Sequence, residues 1–306
     1  MGGRQAKDLP RASIPTMTDP VRKTFSLPDG DVSYLDWPAN GPPLHFANAT
    51  GFNAETYRSL LAPLAAQFHV FASDARGHGF TTLPANSQTN ANWTTYRDDL
   101  VQLLDTLDVA PVVLAGHSMG ATTSLMAAAK RPARVAGVVL IEPVMVPWQA
   151  WFVSRLPKFL GRNKMPNLAG RAALRRDRFP SYEAALSAYR GRGAFKSWPE
   201  EMLADYLKGG LKIDPATGEV RLACAPAWEA ATFRATAYNV ARLARGISCP
   251  LTVIYGTINS TCRDGGAAEL SRGHPGTRIV KVDGASHFLP MEKPELVRAE
   301  LARFAG

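Results

Sequence analysis

Cysteine is scarce in this chain: Cys224, Cys249 and Cys262 are the only three in 306 residues. An odd count with no Cys-x-x-Cys spacing argues against a disulfide framework and against a zinc site. It fits a reducing, cytoplasmic setting. Long apolar runs are also missing, so no segment reaches the length needed to span a bilayer. Residues 1–20 are polar, hold three prolines and lack the apolar stretch of a signal peptide. They read as a loose N-terminal tail. The Gly-x-x-x-x-Gly-Lys-Ser/Thr phosphate cradle does not occur, nor does any internal repeat or low-complexity tract.

Acidic residues are outnumbered. There are 35 Lys and Arg against 26 Asp and Glu, for a net charge of +9. Such a balance raises the question of a nucleic-acid partner. The basic residues are spread, however, with one local cluster at Arg171, Arg175, Arg176 and Arg178. No nucleic-acid-binding motif accompanies it, and it reads as a solvated helix face. The expected partner is a small molecule, with no nucleic acid and no membrane, and the expected state is a monomer or homodimer. With 46% hydrophobic and 20% charged residues, the composition suits a soluble globular enzyme.

Short β-branched runs alternate with helical periodicity. Thr24–Leu27 and Val32–Asp36 flank a Pro-Asp-Gly turn and read as a hairpin. Strands follow at Leu44–Ala47, Val70–Ser73, Pro111–Ala115 and Val135–Ile141. The last is almost wholly apolar, as in a strand buried on both faces. Helices are expected at Ala54–Gln67, Trp93–Leu107 and Ala121–Lys130. The rhythm stops between 144 and 245, where aromatic, arginine-rich helical segments replace strands. It resumes with strands at Pro250–Tyr255 and Arg278–Val282 and a final helix at Pro294–Phe304. This pattern divides the chain into a core domain, 21–143 plus 246–306, and an inserted cap, 144–245.

The strongest chemical signal is Gly116-His117-Ser118-Met119-Gly120, between the strand Pro111–Ala115 and the helix from Ala121. A Gly-x-Ser-x-Gly on a strand–turn–helix corner is a nucleophile elbow: the sharp turn lifts the serine hydroxyl out of the sheet. Two further motifs stand at strand ends. Asp74-Ala75-Arg76-Gly77-His78-Gly79 follows the fourth strand, and Gly284-Ala285-Ser286-His287-Phe288 follows the last. From about Phe25 to the C-terminus the chain resembles the α/β-hydrolase superfamily, in its cap-bearing, esterase-like serine hydrolase group. The resemblance implies an α/β fold with a mostly parallel eight-stranded sheet. Helices would cover both faces, and a helical cap would be inserted after strand six. Dehalogenases and epoxide hydrolases of this fold use Asp at the position of Ser118, so the serine disfavours both.

Within that frame Ser118 is the expected nucleophile and His287 the expected general base. A neutral imidazole after the last strand can take the serine proton and return it to a leaving group. The other histidines fit structural places: His117 inside the elbow, His78 in the Asp-x-Arg-Gly-x-Gly loop, His45 on a strand, and His69 and His274 at element ends. Asp74 and Arg76 read as local turn-stabilising groups. The oxyanion hole is expected at backbone N–H groups of Met119 and of the loop Asn48-Ala49-Thr50-Gly51-Phe52, with Thr50 the leading donor and Ala49 or Gly51 as alternatives. Asn48-Ala49 stands where the family has His-Gly.

The third catalytic member departs from the family's common pattern. The usual acid position falls on Asn259, whose neutral amide cannot stabilise an imidazolium. A subset of the family places its acid at the end of strand six, where this chain has Glu142. Glu142 is therefore the leading acid, with Asp264 and Asp283 in reserve. Trp148, Trp151, Phe52 and Phe288 are the expected pocket residues, since an aromatic cap over the groove offers an apolar site. No cofactor or metal is expected. The combined reading is a serine hydrolase that cleaves carboxylic esters of apolar small molecules. Lactonase, amidase, carbon–carbon bond hydrolase and perhydrolase chemistry are alternatives on the same residues. A small-molecule receptor on a hydrolase scaffold is the alternative of another class.

Overall fold

A computed structural model describes residues 19–88, 92–107, 110–146, 168–235 and 239–306. Its strands are β1 Val21–Leu27, β2 Gly30–Trp37, β3 Pro43–Ala47, β4 His69–Ser73, β5 Val112–His117 and β6 Val135–Ile141. The short β7 Arg178–Phe179, β8 Leu211–Ile213 and β9 Val220–Leu222 follow, then β10 Leu251–Ile258 and β11 Arg278–Ser286. Eight of them form one sheet in the order β1-β2-β4-β3-β5-β6-β10-β11. β1 and β2 make the hairpin, and β2 also runs antiparallel to β4. From β4 to β11 every pairing is parallel. The carboxyl ends of β3, β5, β6, β10 and β11 therefore share one edge, which is where ligands bind in open α/β sheets.

Burial explains the order. β5 and β6 sit mid-sheet, and apart from Ala136 their side chains are buried on both faces. Leu44, Phe46, Val113, Val139, Ile141 and Ile254 belong to one core with helices from Ala54 onward and from Pro294–Ala302. Leu114, Val138, Leu140 and Val253 belong to a second core that includes Leu100, Leu104 and Leu125. Two cores on opposite faces of one sheet are what near-continuous apolar strands require.

Two expectations change. Ala54–Gln67 is not one helix: it splits into a 3-10 turn at Ala54–Tyr57, a helical turn at Arg58–Leu61 and a second 3-10 turn at Ala62–Ala66. Pro63 lacks the N–H that would continue the ladder and crowds the preceding turn. The segment after β6 is also not purely helical. It carries helices Leu168–Ala173, Tyr182–Tyr189, Glu200–Gly210 and Pro226–Arg234, plus the antiparallel sheet β7-β9-β8. Strands of two or three residues are too short to display a period. Among the described residues no helix is long and apolar enough to cross a membrane.

Candidate active site

Ser118 stands between β5 and the helix Met119–Lys130, at φ 57° and ψ −115°. A non-glycine residue held there stores strain of about 1–3 kcal/mol. Tight packing enforces it. A Cβ on Gly120 would meet the Ala47 carbonyl oxygen at 2.2 Å, and one on Gly116 would meet the Gly120 carbonyl carbon at 2.5 Å. The elbow helix can approach β3 only because both positions are glycine. The Ser118 N–H donates to the Ile141 carbonyl at 2.9 Å, which ties the elbow to β6.

His287 follows β11 and faces this serine. Its Nε2 lies 3.1 Å from Ser118 Oγ, and its Nδ1 lies 3.1 Å from Glu142 Oε2. The carboxylate accepts from Nδ1–H, so Nε2 keeps a lone pair for the serine proton. Thr261 Oγ1 also lies 3.3 Å from Nδ1 and donates at 2.9 Å to the backbone carbonyl of Glu142.

Glu142 comes directly after β6, with φ at 51°, and is fully buried. A buried carboxylate is costly unless its oxygens are hydrogen-bonded. Here Gly256 N–H donates to Oε1 at 2.5 Å, while Ser260 Oγ and Thr261 N–H donate to Oε2 at 3.0 and 3.1 Å. Gly256 lies near the end of β10, and Ser260 and Thr261 lie in the loop that follows it. Ile254, two residues earlier on β10, accepts the Glu142 N–H at 2.8 Å, so the alternation of the strand already aims the Gly256 N–H at Glu142. Asn259 is exposed on that same loop, and Asp283 is exposed on β11. Asp264 is engaged by the Tyr255 hydroxyl at 2.7 Å and Lys281 Nζ at 3.0 Å.

The loop after β3 is pinned at nearly every polar group. Asn48 donates through Nδ2 to the carbonyls of Ala49 and Phe52 and accepts from the Ala75 N–H. The Ala49 N–H goes to the Tyr57 hydroxyl at 3.1 Å, and the Gly51 N–H to His78 Nε2 at 2.9 Å. The N–H groups of Thr50 and Met119 donate no hydrogen bond among the described residues. Thr50 and Met119 touch through Oγ1 and Sδ at 3.4 Å. Burial lowers His78 to about 4, so it stays the neutral acceptor that Gly51 needs.

Phe52 and Phe288 stand beside these groups. The Phe52 ring lies 5.9 Å from His117 and 6.3 Å from Phe288, and Phe288 lies 5.9 Å from His287. From the inserted segment, Trp198 packs edge-on against Phe52 at 5.3 Å and lies 5.8 Å from Phe288, while Tyr206 reaches Phe52 at 5.7 Å. Trp148 and Trp151 lie outside the described residues. Trp198 and Tyr206 carry no motif, so only their aromatic character could have marked them. Trp228 instead seals the core, with its indole N–H donating to the Arg76 carbonyl at 3.0 Å.

Arg76 pairs with buried Asp99 through two hydrogen bonds, at 2.9 and 2.7 Å. Asp74 accepts the N–H groups of Ala54 and Phe80 and pairs with Arg22. Arg175 departs from the solvated-face reading of its cluster. It turns inward to Glu229 at 3.1 Å and to the hydroxyls of Tyr189 and Tyr206.

The family model described as alpha/beta hydrolase fold matches residues 45–294. The 2-(acetamidomethylene)succinate hydrolase of Mesorhizobium japonicum is 25% identical over 265 residues, 87% of this chain and 88% of that one. A monoglyceride lipase of Rattus norvegicus is 30% identical over 152 residues, 45% of this chain and 50% of its own. Among solved structures, E-2-(acetamidomethylene)succinate hydrolase superposes with a TM-score of 0.77 at 23% identity, covering 93% of this chain and 98% of that chain. The thioesterase domain from the curacin biosynthetic pathway gives 0.72 at 18% identity, covering 93% and 99%. These likenesses between structures bear on the fold alone. The family model spans most of the chain and the full-length relative is a hydrolase, so this chain is an enzyme belonging to the α/β-hydrolase family.

Proposed function

We propose that this enzyme hydrolyses carboxylic esters of apolar small molecules through an acyl-enzyme on Ser118. The observation that carries the reading is the single imidazole bridging a strained serine and a buried carboxylate, at 3.1 Å on each side. His287 Nε2 takes the Ser118 proton as Oγ attacks the ester carbonyl. Glu142 holds the ring in the required tautomer and stabilises the imidazolium that forms. The N–H groups of Met119 and Thr50 receive the developing oxyanion. The imidazolium then protonates the leaving alkoxide, and the alcohol departs. Water enters, gives a proton to His287 Nε2 and attacks the acyl carbonyl; as the second oxyanion collapses, the imidazolium returns that proton to Ser118 Oγ and the carboxylic acid leaves.

Phe288 stands beside His287 and packs with Trp198 and Phe52, and this aromatic group supports an apolar substrate. A panel of p-nitrophenyl esters tests the reading. Turnover of medium-chain esters, abolished by Ser118→Ala, is expected. A chain that binds such esters but does not turn them over would instead be a receptor on this scaffold.

A second reading is hydrolysis of an acidic amide-like substrate. It is favoured by two relatives with printed names of that type: 2-(acetamidomethylene)succinate hydrolase and (E)-2-((N-methylformamido)methylene)succinate hydrolase. A preference for succinate-bearing amides over neutral esters would select it.

A further inference from the structure

The Ala49 N–H, one residue before Thr50, donates to the Tyr57 hydroxyl at 3.1 Å. That hydroxyl lies 2.9 Å from His117 Nδ1, and His117 Nε2 lies 2.7 Å from the carbonyl oxygen of His287. The two ends fix every proton between them. An N–H can only donate and a carbonyl can only accept. His117 therefore carries its proton on Nε2 and gives it to the His287 carbonyl. Its Nδ1 is left as an acceptor, and Tyr57 donates to it. Tyr57 is 1% exposed and His117 is fully buried, so no solvent competes for these groups. Burial, with His287 close by, holds His117 well below the ordinary imidazole range and keeps this neutral tautomer.

The chain of bonds joins places that the sheet does not. β3, which leads into the Thr50 loop, and β11, which leads into His287, are separated by β5, β6 and β10. The elbow residue His117 sits between them. We propose that Tyr57 and His117 are positioning residues: through this one hydrogen-bonded chain they hold the oxyanion loop in register with the loop that carries the base. Neither touches the substrate. The proposal rests on the acyl-enzyme reading above.

The loop has other anchors. Asn48 and His78 hold it locally, at Phe52, Ala75 and Gly51. The Tyr57 ring packs on Phe46 at 4.6 Å, a contact that phenylalanine keeps. Tyr57→Phe thus removes the register while leaving the loop and core in place. Only the placement of the oxyanion donors relative to His287 loosens, and that geometry is realised in the transition state.

The test compares the parent, Tyr57→Phe, His117→Gln and the double variant. Each is titrated with a fluorophosphonate to count active sites. The kcat and KM per titrated site are then measured on one p-nitrophenyl ester, with Tm alongside. In Tyr57→Phe, kcat per site should fall on the order of ten- to a hundredfold, the cost of a small misplacement of catalytic groups. KM should stay within about threefold, since ground-state binding is not involved. A purely structural role would lower Tm and the number of active sites but not kcat per site. In His117→Gln a flexible amide replaces the rigid ring that fixes the spacing between the Tyr57 hydroxyl and the His287 carbonyl, so this variant should lose kcat per site on the order of tenfold. It carries the test if Tyr57→Phe does not fold. The double variant should be no worse than the more damaged single one, because one chain is broken either way. A kcat per site within about threefold of the parent in Tyr57→Phe, or losses that multiply in the double variant, would overturn the proposal. A parent that the fluorophosphonate does not label overturns the acyl-enzyme reading and this one with it. A labelled parent with an unaffected Tyr57→Phe overturns this one alone.

Discussion

Glu142→Gln isolates the role of charge at the end of β6, because the side chains are nearly identical in shape. The native carboxylate receives Gly256 N–H on Oε1 and Ser260 Oγ, Thr261 N–H and His287 Nδ1–H on Oε2. An amide has only one oxygen. If that oxygen faces Gly256, the amide NH2 points at three donors, and His287 must accept on Nδ1. Its proton then sits on Nε2, facing Ser118, in the tautomer that cannot take the serine proton. If the oxygen faces His287 instead, the NH2 confronts the Gly256 amide at 2.5 Å. The first arrangement costs on the order of a thousandfold or more in kcat, the scale seen when a triad carboxylate is neutralised in place. That is about 4 kcal/mol in the barrier. The donor conflict costs stability as well, about 1–3 kcal/mol for one buried unsatisfied group. The assay is steady-state hydrolysis of a p-nitrophenyl ester per titrated active site, with thermal unfolding to show that the variant is folded. A folded Glu142→Gln with near-normal kcat would refute the argument. A much smaller effect is expected from Asn259→Ala, since Asn259 is exposed.

Chain-length dependence should follow the aromatic wall: kcat/KM should rise by about 0.8 kcal/mol per added acyl methylene until the site is full. Trp198→Ala and Phe288→Ala should flatten that slope, and a preference for short charged esters in the parent would contradict it. Stability should fall in acid for a reason independent of catalysis. Burial lowers both His45 and His78 to about 4. Between pH 6.5 and about 4 the unfolded chain binds protons at these positions and the folded chain does not, so stability is full above that window and declines through it as pH drops. Each histidine contributes as much as about 3 kcal/mol to that decline. Thermal unfolding followed from about pH 7 to about pH 4 should show a falling Tm, and a flat profile would contradict the sign.

The sheet is legible in the sequence because its strands are buried on both faces: Val112–His117 and Val135–Ile141 can hardly be anything but central. The elbow is legible because Gly116 and Gly120 are demanded by contacts at 2.5 and 2.2 Å. Glu142 stands out because Asn259 leaves the usual acid position neutral. What surrounds Glu142 is not legible. Gly256, Ser260 and Thr261 are distant in sequence and reach it only because β10 pairs with β6. Strand pairing and its register depend on two strands at once, so no single segment records them. Arg175 misleads for a similar reason. It belongs to an arginine cluster in sequence, but its partners are Glu229, Tyr189 and Tyr206, brought by three separate helices. Tyr57 and His78 escape notice as holders of the Thr50 loop because each acts through one polar atom on a backbone N–H, a contact no residue spacing encodes. The split of Ala54–Gln67 was open to reading from Pro63 alone.

The central claim is that Ser118 carries the acyl group. Mass spectrometry of the intact chain after fluorophosphonate treatment, followed by peptide mapping, addresses it most directly. The account expects one adduct per chain, located on Ser118, absent from Ser118→Ala and formed far more slowly in His287→Ala. An adduct at another residue, or ester turnover that persists in Ser118→Ala, would contradict it.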